Sequence, residues 1–220
     1  MNTVTILDKI IDLNLSEVIY DFKQFVPEDW NIIRHTPKWV VTGDAITGGG
    51  PDEPCHGQIF YKTPVKGEVI LEFDAELIAP SYHDLIWWWD TRLDRDPWGD
   101  GYLGCLGGWF GNLAGIEKSP TFKPSMISPS FEIEPGRSYH IVSGTCGGVL
   151  FIAVDGKMVS FMTDPQPPDP ETPGYFGFGV YESHARYRNL KVMRPYWTTR
   201  ELVYTPATRL TAMRKTSLNA

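Results

Sequence analysis

Between positions 68 and 78 apolar and polar residues alternate. Val69, Leu71, Phe73, Ala75 and Leu77 form one set, opposite Glu68, Ile70, Glu72, Asp74, Glu76 and Ile78. Side chains of a strand point alternately to its two faces, so this stretch is a half-buried strand. The next strand-like stretch, residues 84–92, holds three consecutive tryptophans. Leu85, Trp87 and Trp89 make a face without a polar member, which predicts core. Asp84, Ile86, Trp88, Asp90 and Arg92 place an indole among carboxylates and a guanidinium. That mixture suits a sugar ring, stacked on its C–H face and hydrogen-bonded around its edge. A strand covered on both faces, with its acids solvated at the ends, satisfies the same pattern.

Further strands are expected at 18–22, 39–46 (a pair closed by Gly43-Asp44), 58–62, 138–142, 149–154, 158–162, 175–181 and 187–193. Asp155-Gly156 is a hairpin-turn dipeptide. Glu182, Ser183, His184 and Ala185 form the tip of the closing hairpin. Residues 4–15 fit either a strand or a helix, and a loop is expected from Asp29-Trp30. The proline-rich run 164–173 cannot be strand interior. With no long helix, repeat or linker, the pattern predicts one all-β antiparallel sandwich over residues 1–195. Residues 196–220 turn basic (Arg200, Arg209, Arg214, Lys215) yet keep Trp197, Leu202, Val203, Tyr204 and Leu210. This extension is expected to dock on the sandwich or on a partner subunit, which makes a homodimer an open possibility.

Composition narrows the function classes. Aromatic residues are 13% of the 220, with 8 Trp, which favours stacking ligands over phosphates. A net charge of −7 without a basic run weighs against a nucleic-acid partner. No window approaches the ~18 apolar residues of a membrane span. Asp8, Lys9 and Asp12 interrupt the N-terminal apolar residues, so no signal peptide is read and a cytoplasmic protein is expected. Cys55, Cys105 and Cys146 are an odd, scattered set, pointing to reduced thiols rather than zinc or disulfides. Gly48-Gly49-Gly50 lacks the GK[ST] ending and following helix of a phosphate loop. Asp94, Asp96 and Asp100, in the loop 94–101, invite calcium but lack EF-hand spacing. The expectation is therefore no cofactor, with calcium as the alternative.

The segments 39–45 and 67–77 resemble the opening strands of concanavalin A-like jelly rolls. Ser138-Tyr139-His140-Ile141-Val142 and Leu150-Phe151-Ile152-Ala153-Val154-Asp155-Gly156-Lys157 are similar to their late strand–turn–strand signature. Gly177-Phe178-Gly179-Val180 and 187–192 match the closing hairpin, also seen in 3-keto-disaccharide hydrolase-like domains. Taken whole, the chain is similar to the YesU family, an uncharacterised bacterial family with this galectin- or laminin-G-like fold. That resemblance implies a pectin (rhamnogalacturonan) context and an oligosaccharide ligand in a concave groove. It carries no catalytic residues.

Glu72-Phe73-Asp74-Ala75-Glu76 matches the E-x-D-x-E pattern of retaining glucanases with this fold. There the catalytic strand follows the tryptophan strand, whereas here the pattern precedes it, so it reads as a coincidental solvated face. The strand after the tryptophans ends Gly115-Ile116-Glu117 and offers one carboxylate, Glu117. A buried carboxylate whose pKa is raised can act as general acid or base. His184 and Glu182 are its candidate partners. Trp88, Asp90, Arg92, Trp98, Trp109, His83 and Arg186 complete the substrate-binding set, with Arg92 or Arg186 available for a uronic carboxylate. His140 reads as structural, and no nucleophile elbow is present. Two functions stay open: hydrolysis or elimination on oligosaccharides, and lectin-like binding without chemistry.

Overall fold

The computed structural model describes residues 2–33, 38–50, 56–81, 83–93, 100–108, 113–119, 125–128 and 131–201. Along the chain, β1 (Thr3–Ile6) and β2 (Lys9–Asp12) form a hairpin, then come β3 (Glu17–Asp21), a 3-10 turn at Pro27–Asp29 and β4 (Trp30–Ile32). Strands β5 (Val40–Val41), β6 (Ile46–Gly48), β7 (His56–Tyr61) and β8 (Ile70–Leu77) lead to the tryptophan strand, β9 (Leu85–Arg92). Next are β10 (Asp100–Gly108), β11 (Leu113–Ser119), β12 (Met126–Ser128), β13 (Ser138–Cys146), β14 (Val149–Val154) and β15 (Lys157–Thr163). The closing hairpin is β16 (Tyr175–Tyr181) with β17 (Ala185–Arg194), and β18 (Trp197–Thr199) follows. The ambiguous stretch 4–15 is thus a hairpin, and Trp30 begins a strand rather than a loop.

A seven-stranded sheet runs β12-β11-β10-β9-β16-β7-β4. It faces an eight-stranded sheet ordered β15-β14-β13-β8-β17-β6-β5, with β3 paired to β17. The main core lies between them. Leu71, Phe73, Ala75 and Leu77 point into it from β8, and Leu85, Trp87 and Trp89 from β9, as the alternation predicts. The Phe73 and Trp87 ring centroids are 5.5 Å apart in a T-shaped contact. Trp89 is anchored by its indole N–H, which donates to Thr145 Oγ1 at 3.0 Å. Such a buried donor needs an acceptor, and β13 of the opposite sheet supplies it.

A third layer covers the outer face of the eight-stranded sheet. Val4, Ile6 and Ile11 of the N-terminal hairpin pack on Ile70, Val142, Phe151 and Met193. Trp197, Thr198 and Thr199 add β18 to β2, so the first residues of the basic extension complete this small sheet. Residues 202–220, with the rest of that extension, lie outside the described residues.

The same outer face carries Glu72, Asp74 and Glu76. All three are occupied by ion pairs: His140 reaches Glu72 at 3.4 Å and Asp74 at 2.9 Å, Lys191 meets Glu72 at 3.2 Å, and Arg186 meets Glu76 at 3.4 Å. Arg186 is thereby committed to the sheet that does not carry the tryptophans, contrary to its expected place among the substrate-binding residues. The Glu72 and Asp74 carboxylates hold the His140 proton against the cost of burial and push its pKa up to about 9. A raised folded-state value means a stabilisation complete below the unfolded value of about 6.5 and lost as pH climbs through about 9. The His140 side chain is 46% exposed. Solvent screening therefore reduces the effect to the order of 1 kcal/mol. The melting temperature should fall by about 2–4 °C between pH 6.5 and 9.5 from this source, and His140→Asn should flatten that fall. Parallel pH profiles for the two proteins would count against the assignment.

Candidate functional site

The strand pairings place the candidate residues in rows across the outer face of the seven-stranded sheet. Phe60, Gly177, Trp88, Leu103 and Glu117 are successive cross-strand partners and form the central row. Gln58, Gly179, Ile86, Cys105 and Gly115 form the next. Trp88 and Glu117 thus share a face, with Leu103 between them. Trp88 is fully buried, however, and is not the exposed stacking platform expected from its polar neighbours. Its ring lies over Gly179, where a Cβ would sit 2.3 Å from the ring, and it packs against Phe60 at 5.6 Å between centroids. Ile86, Leu103 and Cys105 complete this small apolar cluster. The bare Gly179 of β16 makes room for a large ring to lie down, and burial of its apolar area favours that pose over exposure.

Glu117 is buried, at 4% exposure. It stands on β11, three strand spacings from β16, or roughly 14 Å at ~4.8 Å each. Glu182 and His184 follow β16, so neither is brought to Glu117, and the expected acid/base pairing is not formed. Cys105 sits diagonally between Asp84 and Glu117. Burial pushes its thiol well above the ordinary range, and the Asp84 and Glu117 charges add to that. A thiol so raised is inert as a nucleophile.

One end of this face is organised by Asp84, which is 3% exposed. Its Oδ1 accepts from the Ser183 hydroxyl at 3.0 Å and from the Tyr181 N–H at 3.4 Å. Burial raises its pKa, opposed by His83. His83 Nδ1 approaches Asp84 Oδ2 at 3.2 Å, a charge contact without the alignment of a hydrogen bond. The Asp84 carboxylate pushes the imidazole up, against burial. These contacts pin the tip of the closing hairpin to the start of β9. His184 is pushed down by burial and by the Arg186 charge.

The other end is organised by a backbone irregularity. Asp90 takes a positive φ of 50°, a left-handed conformation that aspartate tolerates better than most residues. The β9–β10 register slips at this point, between Asp100 and Tyr102. Strict alternation therefore ends at Trp89, and Asp90 and Arg92 do not continue the Trp88 face as the sequence pattern suggested. Arg92 Nη1 donates to Asp90 Oδ1 at 3.0 Å, and Nη2 to the Asp169 carbonyl at 3.1 Å. The guanidinium fork is thus partly used within the protein. Gly174 allows the approach, since a Cβ there would lie 2.5 Å from Asp90 Oδ1.

The proline-rich stretch before β16 is tied down at this end. Asp164 accepts from the Tyr102 hydroxyl at 2.9 Å, from the Gln166 N–H at 2.9 Å and from Lys118 Nζ at 2.7 Å. Burial alone would push Asp164 up, but these donors and the ammonium charge hold it below its ordinary value. Between this loop and the strand ends lies a cavity of about 660 Å³ lined by Arg92, Asp100, Lys118, Asp169, Thr172 and Tyr175, among others. Two cations and two carboxylates leave its lining neutral, and Tyr175 supplies an aromatic ring. Lys118, Tyr175, Asp169 and Thr172 carry no motif and escape a sequence search; the proline-rich run 164–173 signals only a loop.

Trp98, Trp109, Asp94 and Asp96 lie outside the described residues. Among the described residues no group of three or more His, Cys, Asp or Glu is placed to hold a metal ion. No helix among them is long and apolar enough to cross a membrane.

No protein-family model matches the chain, and no curated protein matches it significantly. Solved structures do. A carbohydrate-binding module of Bacillus subtilis, CBM66, superposes with a TM-score of 0.58 at 16% identity, over 75% of this chain and 95% of that one. A Bacillus subtilis protein of unknown function with a galectin-like fold reaches 0.61 at 13% identity, over 84% and 98%. The exoplasmic/lumenal domain of VIP36, in its Ca2+/Man-bound form, reaches 0.61 at 11% identity, over 88% and 100%. At these identities the likeness establishes the fold, an all-β galectin-like jelly roll of the concanavalin A-like kind.

Proposed function

We propose that this chain is a carbohydrate-binding protein that holds oligosaccharides in the cavity at the Arg92 end of the seven-stranded sheet, without turning them over. The observation that carries this reading is the cavity itself. Its volume of about 660 Å³ falls within the usual range for small-ligand sites, roughly 300–1,000 Å³. A ring at Tyr175 and a neutral set of polar groups match a ligand recognised through hydroxyls and C–H faces. Two structural neighbours, a carbohydrate-binding module and a mannose-bound lumenal domain, support the same class. The pectin-type oligosaccharides implied by the YesU resemblance join neutral and acidic sugars, and Arg92 and Lys118 suit the acidic members. The free, buried thiols of Cys105 and Cys146 fit a reducing cytoplasm.

Chemistry is the weaker reading because Asp84 is committed to Ser183 and Tyr181, and Glu117 has neither Glu182 nor His184 beside it. Calorimetric titration with rhamnogalacturonan oligosaccharides tests the proposal. Saturable binding without new reducing ends or unsaturated products is expected. Tyr175→Ala should weaken it about tenfold, equivalent to ~1.4 kcal/mol, and Arg92→Lys should weaken acidic sugars more than neutral ones. Turnover that Glu117→Gln abolishes would restore the enzymatic reading.

A further inference from the structure

Gln58 is a buried polar side chain that the fold does not explain. It is fully buried in β7, on the outer face of the seven-stranded sheet, and neither its Oε1 nor its Nε2 has a hydrogen-bond partner. Buried carboxamides are ordinarily satisfied, and an orphaned one is costly. Trp88 Nε1 on the same face is also unpartnered, but so are the core indoles of Trp30, Trp39 and Trp87, which makes the indole undistinctive. Gln58 differs in leaving both a donor and an acceptor unused.

Its surroundings say what would use them. Two residues earlier on the same strand, His56 stacks on Tyr181 with centroids 4.1 Å apart and planes at 18°. His56 Nε2 lies 3.9 Å from Glu182 Oε1, and the His83 ring is 5.6 Å from that of Tyr181. Tyr181 is 37% exposed, so an aromatic surface rimmed by imidazoles and a carboxylate stands at the solvent-facing end of the row beyond Gln58. This rim lies at the end of the sheet opposite the Arg92 cavity. Resting on the carbohydrate-binding reading, we propose that Gln58 is the buried hydrogen-bonding group of a second sugar subsite. A sugar ring packs on Tyr181, and two neighbouring hydroxyls exchange hydrogen bonds with the Gln58 carboxamide, one accepting from Nε2 and one donating to Oε1. Lys and Arg are absent from the rim residues named, which favours hydroxyl recognition over a phosphate.

The test is calorimetric stoichiometry with a rhamnose–galacturonic acid disaccharide, alongside melting temperatures, on wild type and Gln58→Leu. Wild type is expected to take two equivalents. Gln58→Leu should take one, or bind the second about tenfold more weakly, as loss of two neutral hydrogen bonds implies. Its melting temperature should stay level or rise, because an unsatisfied amide has been removed. A wild type with one equivalent, or a Gln58→Leu protein that binds as wild type does, overturns the subsite and leaves the Arg92 cavity standing. A melting temperature lowered by several degrees also overturns it, by showing that Gln58 serves packing. A wild type that takes up no sugar overturns the carbohydrate reading, and the subsite with it.

Discussion

Replacing Trp87 with alanine is expected to lower stability by about 3–5 kcal/mol, the range for deleting a fully buried aromatic side chain. Trp87 has no exposed surface, meets Phe73 across the sandwich, and fills the space left by Gly104, where a Cβ would come within 2.4 Å of the indole. The site cannot collapse easily, because it is walled by β10 on one side and by the opposite sheet in front. At ~2–4 °C per kcal/mol for a domain of this size, the melting temperature should drop by roughly 6–20 °C. Trp87→Phe should lose much less, since Trp87 Nε1 makes no hydrogen bond whose loss would add to the deficit. Denaturant titration of the three proteins checks both statements. A loss below ~1 kcal/mol for the alanine variant would mean that the core is not organised around this residue.

Gly179→Ala is also expected to be damaging, and for the opposite reason. The added methyl would stand 2.3 Å from Cζ3 and 2.5 Å from Cη2 of Trp88, so the ring must leave its bed. Overpacking of this kind typically costs about 1–3 kcal/mol. Displacement also has an optical signature. Trp88, fully buried in the wild type, should become accessible to iodide, and the gain in quenching should vanish in a Gly179→Ala, Trp88→Phe double variant. Unchanged stability and quenching would show that Trp88 does not lie across Gly179.

The sandwich was legible because its strands obey a two-residue period wherever one face meets the core. The set from Val69 to Leu77 and the set Leu85, Trp87 and Trp89 point inward as that period requires. What period alone cannot convey is the fate of the other face. Trp88 was expected at the surface because Asp84, Asp90 and Arg92 flank it in sequence. The left-handed turn at Asp90 removes two of those neighbours from its face, and Gly179 of β16, far away in sequence, lets the ring lie flat. Asp84 was legible as a carboxylate but not as the anchor of Ser183, because the hydrogen bond spans 99 residues. The Arg92 cavity was half visible. Arg92 stood out, while Lys118, Asp169 and Tyr175 come together only when four strand ends and a proline-rich loop converge. Gln58 gave no sign, since one polar residue in a strand looks like a solvent-facing position until its burial is known.

A bound sugar should sit at the Arg92 end of the seven-stranded sheet, on Tyr175. Determining the structure of the protein crystallised with a saturating rhamnogalacturonan oligosaccharide tests it most directly. A sugar ring packed on Tyr175, with a hydroxyl donating to Asp100 and hydroxyls or a carboxylate accepting from Arg92, is the predicted result. An oligosaccharide seated on the Glu72–His140 face of the other sheet, or a cavity that stays empty of sugar at saturation, would contradict it.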